Sequence, residues 1–187
     1  MPLYIWLVAV LLFVAFVFFV FAKGAVARNG AQSAADAAAL AAAQEVRDEL
    51  TDGFVVGLES GDWEEWLDGE EFLGDGRAAA TDLAAANDAT LTRLDIGEMD
   101  GKPSFAAGVE TNYTVGDSLI PGTENTRAKA SATAVIEPRC TVDVDIDPSK
   151  EVKFRCDGSG AWEIDPEGPG DVELPKANDL FAVHLAD

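Results

Sequence analysis

Asp143, Asp145 and Asp147 alternate along one short stretch, and carboxylates at that spacing resemble the opening of a calcium loop. The pattern goes no further. The glycine such a loop requires is absent, and Phe154 stands where the bidentate glutamate belongs. Alternation also reads the three aspartates as the solvated face of a strand. His184, the one histidine, has no nucleophile motif to serve, and no G-x-S-x-G, P-loop or dinucleotide fingerprint occurs. Glu64, Glu65, Glu70 and Glu71 could form an acid/base pair, but such a run reads as solvated charge. Leu174-Pro175-Lys176-Ala177-Asn178 has only the outline of a sorting signal. No catalytic residue, metal ligand or cofactor is assigned, and the chain does not read as an enzyme.

The two cysteines carry the remaining chemistry. Neither belongs to a C-x-x-C pair, so Cys140 and Cys156 read as a disulfide in an oxidising compartment. Setting Cys140 opposite Cys156 places Val142 against Phe154, Val144 against Val152 and Asp143 against Lys153. The turn then falls at Asp147-Pro148-Ser149, and every pair suits a hairpin. Closing a loop of that size contributes about 3 kcal/mol in the chain-entropy model.

These groups need a scaffold, and the chain of 187 residues allows one modest domain beyond any membrane segment. From Gln44 onward there are 11 Lys and Arg against 33 Asp and Glu, a net charge of −22. Such a surface repels nucleic-acid phosphates and anionic headgroups. It fits a soluble extracellular domain, and adaptation to high salt would give the same composition.

Residues Leu3 to Ala22 are apolar without interruption. At 1.5 Å per residue twenty residues span about 30 Å, the thickness of a bilayer's hydrocarbon core. Tyr4 and Trp6 mark one interface, and Lys23 the other. A cleaved signal is the competing reading, with Ala25-Val26-Ala27 as its site, but there is no basic n-region and the apolar run is long. Lys23 and Arg28 follow the span and favour a cytoplasmic C-terminal part, whereas the disulfide places that part outside. The outside orientation is the expectation adopted.

The helix should continue to about Leu50 through the ladder Ala27, Ala31, Ala35, Ala39 and Ala43, with a weak point at Asn29-Gly30. An alanine face lets another backbone approach closely. Ala27, Gly30, Ala31, Ala35, Ala38 and Ala42 are therefore the expected helix-packing interface with other subunits. A generic alanine-rich helix is the plainer reading.

Beyond it, Trp63 and Trp66 form an i,i+3 pair on a short helix laid on the domain, with Phe72 and Leu73 as further anchors. Alternatively, the tryptophans form an exposed contact patch. Arg77 to about Leu94 reads as a second helix, and Gly97 to Lys102 as a turn. Residues 104–115 and 127–136 read as strands, the cysteine hairpin follows, and Leu180 to Leu185 reads as a closing strand. Trp162 and Ile164 are a last contact in a proline- and glycine-rich stretch. The expected fold is α+β, with a long N-terminal helix, a second helix and an antiparallel sheet of about 3–4 strands. The expected division is a membrane segment at 1–23, an alanine-rich extension at 24–50 and an acidic extracytoplasmic domain at 51–187.

The stretch Arg28-Asn29-Gly30-Ala31-Gln32-Ser33-Ala34-Ala35-Asp36-Ala37-Ala38-Ala39-Leu40-Ala41-Ala42-Ala43, just after a membrane helix, resembles the N-terminal signature of TadE/TadG-like proteins. These are pseudopilin-like components of tight-adherence (Tad, or Flp-type) pilus systems, and the likeness is greatest to actinobacterial forms. It is strong over residues 3–50 and fainter at 111–123, at Glu137-Pro138-Arg139-Cys140 and at 179–187. The resemblance implies a pilin-like fold and a structural role, anchored in the membrane with copies of itself, other pilin-like subunits or the assembly machinery as partners. A basic leader, a peptidase site and a glutamate early in the helix, all usual in prepilins, are not found in this stretch, so no residue inherits peptidase chemistry. The alternative class is a membrane-anchored extracellular binding module that does not assemble, with Trp63 and Trp66 at its contact.

Overall fold

A computed structural model describes residues 2–69, 72–114, 125–142, 152–164 and 174–186. Helix α1 (Pro2–Ser60) runs unbroken for 59 residues, about 88 Å at the α-helical rise. It passes the predicted end at Leu50, because Val46, Leu50, Phe54 and Leu58 extend the buried stripe at i,i+4 spacing. Gly61, with φ 89°, ends it, its N–H bonded to Gly57 O at 2.8 Å. Helix α2 (Trp63–Leu67) follows at once.

Helix α3 (Arg77–Ala86) is shorter than the expected run to Leu94. The N–H groups of Asn87 and Asp88 close on Ala84 and Ala85 carbonyls, and Asp88 takes a left-handed φ of 52°. That turn releases Ala89-Thr90-Leu91-Thr92 into β1 (Ala89–Met99), so Leu91 and Leu94 belong to the sheet. Asp100 and Gly101, both at positive φ, make a two-residue hairpin turn into β2 (Lys102–Thr114).

Strand β3 (Arg127–Pro138) pairs with β2, and β7 (Phe181–Leu185) pairs with β3, giving an antiparallel sheet of order β1-β2-β3-β7. Phe105, Ala107 and Val109 of β2 stand opposite Ala134, Ala132 and Ala130 of β3. The one-turn helix α4 (Ala177–Leu180) leads into β7.

The cysteine hairpin forms a second sheet of its own, β4 (Cys140–Val142), β5 (Val152–Cys156) and β6 (Gly160–Ile164). Cys140 pairs with Cys156 and Val142 with Phe154, in the expected register. The strand containing Trp162 and Ile164 goes beyond the sequence expectation of a single contact. It pairs with β5 through Phe154–Trp162 and Val152–Ile164, and Lys153 meets Glu163 at 3.3 Å. Asp143, Val144, Asp145 and the expected turn at Asp147-Pro148-Ser149 lie outside the described residues.

Cys140 and Cys156 are joined, their Cα atoms 4.0 Å apart. The bridge closes the open end of a hairpin that is tied to the main sheet by Arg139. The Arg139 backbone N–H donates to Leu180 O (2.8 Å), and its guanidinium donates to Asn178 O (2.9 Å) and Asp157 O (2.6 Å). Replacing both cysteines with serine should cost about 3 kcal/mol and lower the urea midpoint of the detergent-solubilised chain. An unchanged midpoint would show that pairing and packing alone hold the second sheet.

Candidate functional site

The small residues expected to meet other subunits are occupied within this chain. Ala31, Ala35, Ala38 and Ala42 are fully buried and Ala27 is 4% exposed. Their stripe lies on β2, β3 and α3. Within one chain the close approach expected of this face is made to the chain's own domain. Alanine suits the place because the facing strand is itself built of small residues, Ala130, Ala132 and Ala134. At Gly76, the N-cap of α3, a Cβ would come within 2.4 Å of Ala42 O. Gly30 is half-buried and does not kink the helix; a Cβ there would stand 2.1 Å from the Tyr113 hydroxyl.

Trp63 and Trp66 also fall elsewhere than on an exposed patch. Trp63 is fully buried, Trp66 partly so. Both pack into a groove left by Gly53 and Gly57, one helical turn apart on α1. A Cβ on Gly53 would lie 2.1 Å from the Trp66 ring, and one on Gly57 would lie 2.9 Å from Trp63 Cα. This Gly-x-x-x-Gly spacing was visible in the sequence, but only α2 folding back onto α1 gives it a partner. Leu73, expected as an anchor, is 96% exposed, while Phe72 packs on Phe105 with ring centroids 6.1 Å apart.

Acidic side chains on α1 tie down neighbouring backbone. Glu49 accepts from the N–H groups of Leu73 (2.8 Å) and Gly74 (2.9 Å). Glu45 accepts from Ala79 N–H at 3.1 Å, satisfying an otherwise open donor at the start of α3. Asp75 accepts from Arg77 N–H, and this bond holds its carboxyl below the usual range. Across β2 and β3, the Lys102 ammonium bonds Glu137 and lowers its pKa, with smaller contributions from His184 and Arg139. His184 itself sits exposed on the edge strand β7. Pro175 is buried and leads into α4, so the Leu174–Asn178 stretch is part of the fold. Among the described residues no three His, Cys, Asp or Glu side chains gather as a metal site.

The apolar half of α1 is different. Tyr4 to Phe16 are all exposed, and among the described side chains of α1 the first buried one is Ala27. This segment is long and apolar enough to cross a membrane, with mean hydropathy 3.1 over its best window and none of that window buried. A continuous helix therefore presents one bare apolar half and one half clamped to a folded domain. Its arrangement serves anchoring and packing.

No curated protein and no solved structure matches the chain. Residues 3–45, the bare apolar half of α1 together with its alanine ladder, match the family model described as "Putative Flp pilus-assembly TadE/G-like", which supports membrane anchoring and a pilus-related role.

Proposed function

We propose that the chain is a structural component, a minor pilin or pseudopilin-like subunit, of a Tad/Flp-type pilus or secretion apparatus. Residues 1–23 hold it in the membrane by a single pass, and the acidic domain lies outside the cytoplasm. The observation that carries this reading is the coincidence of the family match with α1, whose apolar half is bare while its small-residue half is fixed to a domain. The Cys140–Cys156 bridge supports the outside orientation, since such bonds persist in oxidising compartments. The burial of Trp63 removes the main support for a binding module built on the tryptophan pair.

Substituting Leu11 and Val14 with aspartate tests the role. Each charge at mid-membrane depth costs about 2.5–3.5 kcal/mol of insertion. The expected result is a chain lost from the membrane fraction, together with loss of filaments or of secretion in the source cells. Filaments that persist with the variant chain in the soluble fraction would overturn the proposal.

A further inference from the structure

Span and domain are joined without a linker, because α1 is unbroken from Pro2 to Ser60. Ala27, the first buried side chain described on α1, stands five residues past Ala22, about 7.5 Å along the helix. Headgroups add only about 5–8 Å to each side of a hydrocarbon core. The folded part of the chain therefore meets α1 at the level where the headgroups end. Contacts along α1 identify which end of the domain this is. The Tyr113 hydroxyl packs at Gly30, about 12 Å past Ala22. The far end of the sheet lies much higher, where Pro138 borders Gly69 just beyond α2. The sheet thus runs along α1 with Tyr113, Thr114 and Arg127 at its span-facing end, Thr114 and Arg127 being cross-strand partners. All three are exposed. Arg47, Arg77 and Arg93 each meet a carboxylate, whereas Arg127 forms no ion pair among the described residues. The same holds for Arg28, which is exposed on α1 about 9 Å past Ala22. Arg28 lies about 200° around the helix from Gly30, so it points away from the flank where Tyr113 packs.

Resting on the membrane-anchoring reading above, we infer that the span-facing end of the domain is a second lipid contact, with Arg28 and Arg127 donating to phospholipid phosphates. The occupant is the headgroup layer, because the unbroken α1 fixes the height of this end and cannot lift it clear. Long arginine side chains reach down to phosphate from just above it. The guanidinium fork matches phosphate oxygens with paired hydrogen bonds, which a point charge does not. Tyr113 carries an amphipathic ring suited to the same level. A tilt of about 20°, the average for spanning helices, lowers one flank further. Zwitterionic headgroups fit best, since they offer phosphate without the net negative surface that a chain of charge −21 repels. Held at both the span and the sheet end, the domain keeps one tilt over the bilayer.

The test uses the full chain in phosphatidylcholine vesicles containing a lipid with a nitroxide on its headgroup, which quenches a nearby fluorophore. One variant carries the fluorophore at Thr114→Cys, another at Glu59→Cys, an exposed site about 55 Å past Ala22. Quenching at position 114 should exceed that at position 59 about threefold or more. Adding Arg28→Glu and Arg127→Glu together should lower quenching at position 114 about twofold or more, by repelling phosphate. Arg28→Lys with Arg127→Lys should keep most of it, since the positive charges remain. The comparison of the two positions changes neither arginine, so it decides the matter even if the glutamate pair fails to fold. Equal quenching at the two positions, in chains that float with the vesicles, overturns the contact and leaves the anchoring reading standing. Strong quenching at position 114 that ignores the glutamate pair overturns the phosphate contact. A chain that does not float with the vesicles overturns the anchoring reading itself.

Discussion

Trp63→Ala should be the most damaging single truncation in the domain, costing about 3–5 kcal/mol. Against a total stability of about 5–15 kcal/mol for a domain, that leaves little margin. The ring is fully buried and meets Phe54 edge-on at 6.3 Å and Phe154 at 6.0 Å. Phe154 in turn packs edge-on against Phe54 at 5.5 Å and stacks with Trp162 at 6.5 Å. Trp63 thus joins α1, α2 and the second sheet in one aromatic cluster, and its removal leaves a cavity whose walls are held by a helix and a cross-linked hairpin. Trp66, half-buried over Gly53, should cost only about 1–2 kcal/mol on truncation. Urea melts of the detergent-solubilised chain, with near-ultraviolet circular dichroism reporting the aromatic cluster, measure both. A larger loss from Trp66→Ala than from Trp63→Ala would contradict the packing described.

The second large effect is expected from bulk on the alanine ladder. Ala35→Leu and Ala38→Leu insert side chains where no exposed surface remains, and overpacking of this kind costs about 1–3 kcal/mol at each position. The sites are neighbours on one helix, so the double variant will not be the sum of the two. The loss should appear as a lower melting temperature of the isolated, unassembled chain. Ser33→Leu, on the exposed side of the same helix, should change stability by less than about 0.5 kcal/mol. If the leucines leave the melting temperature unchanged and only assembly suffers, the ladder faces other subunits after all.

These two cases show where local sequence was informative. The hairpin register was legible because the cysteine spacing, the β-branched alternation and the cross-strand pairs agree on one alignment. The helix was legible because twenty apolar residues and an alanine run have no competing structure of low energy. Helical spacing carries α3 too far because Leu91 and Leu94 stay in phase with Leu83, while the left-handed turn at Asp88 decides the boundary. Strand β6 escapes a sequence reading because Gly160 to Ile164 lacks a pattern of its own and forms only against β5.

By itself, the sequence determined a bilayer-length helix, its alanine-rich continuation, the disulfide and the α+β class. Each follows from local composition or from residues whose spacing admits one sensible pairing. Tertiary structure decided what each surface is for. A small-residue face is complementary to any backbone that can approach it, and here the chain's own sheet gets there first. The same holds for the tryptophans, whose spacing indicates a short helix but not that two glycines on α1 leave room to bury it. With the ladder and the tryptophans used internally, the described residues of α1 left bare include those of its apolar half and Arg28 just beyond it.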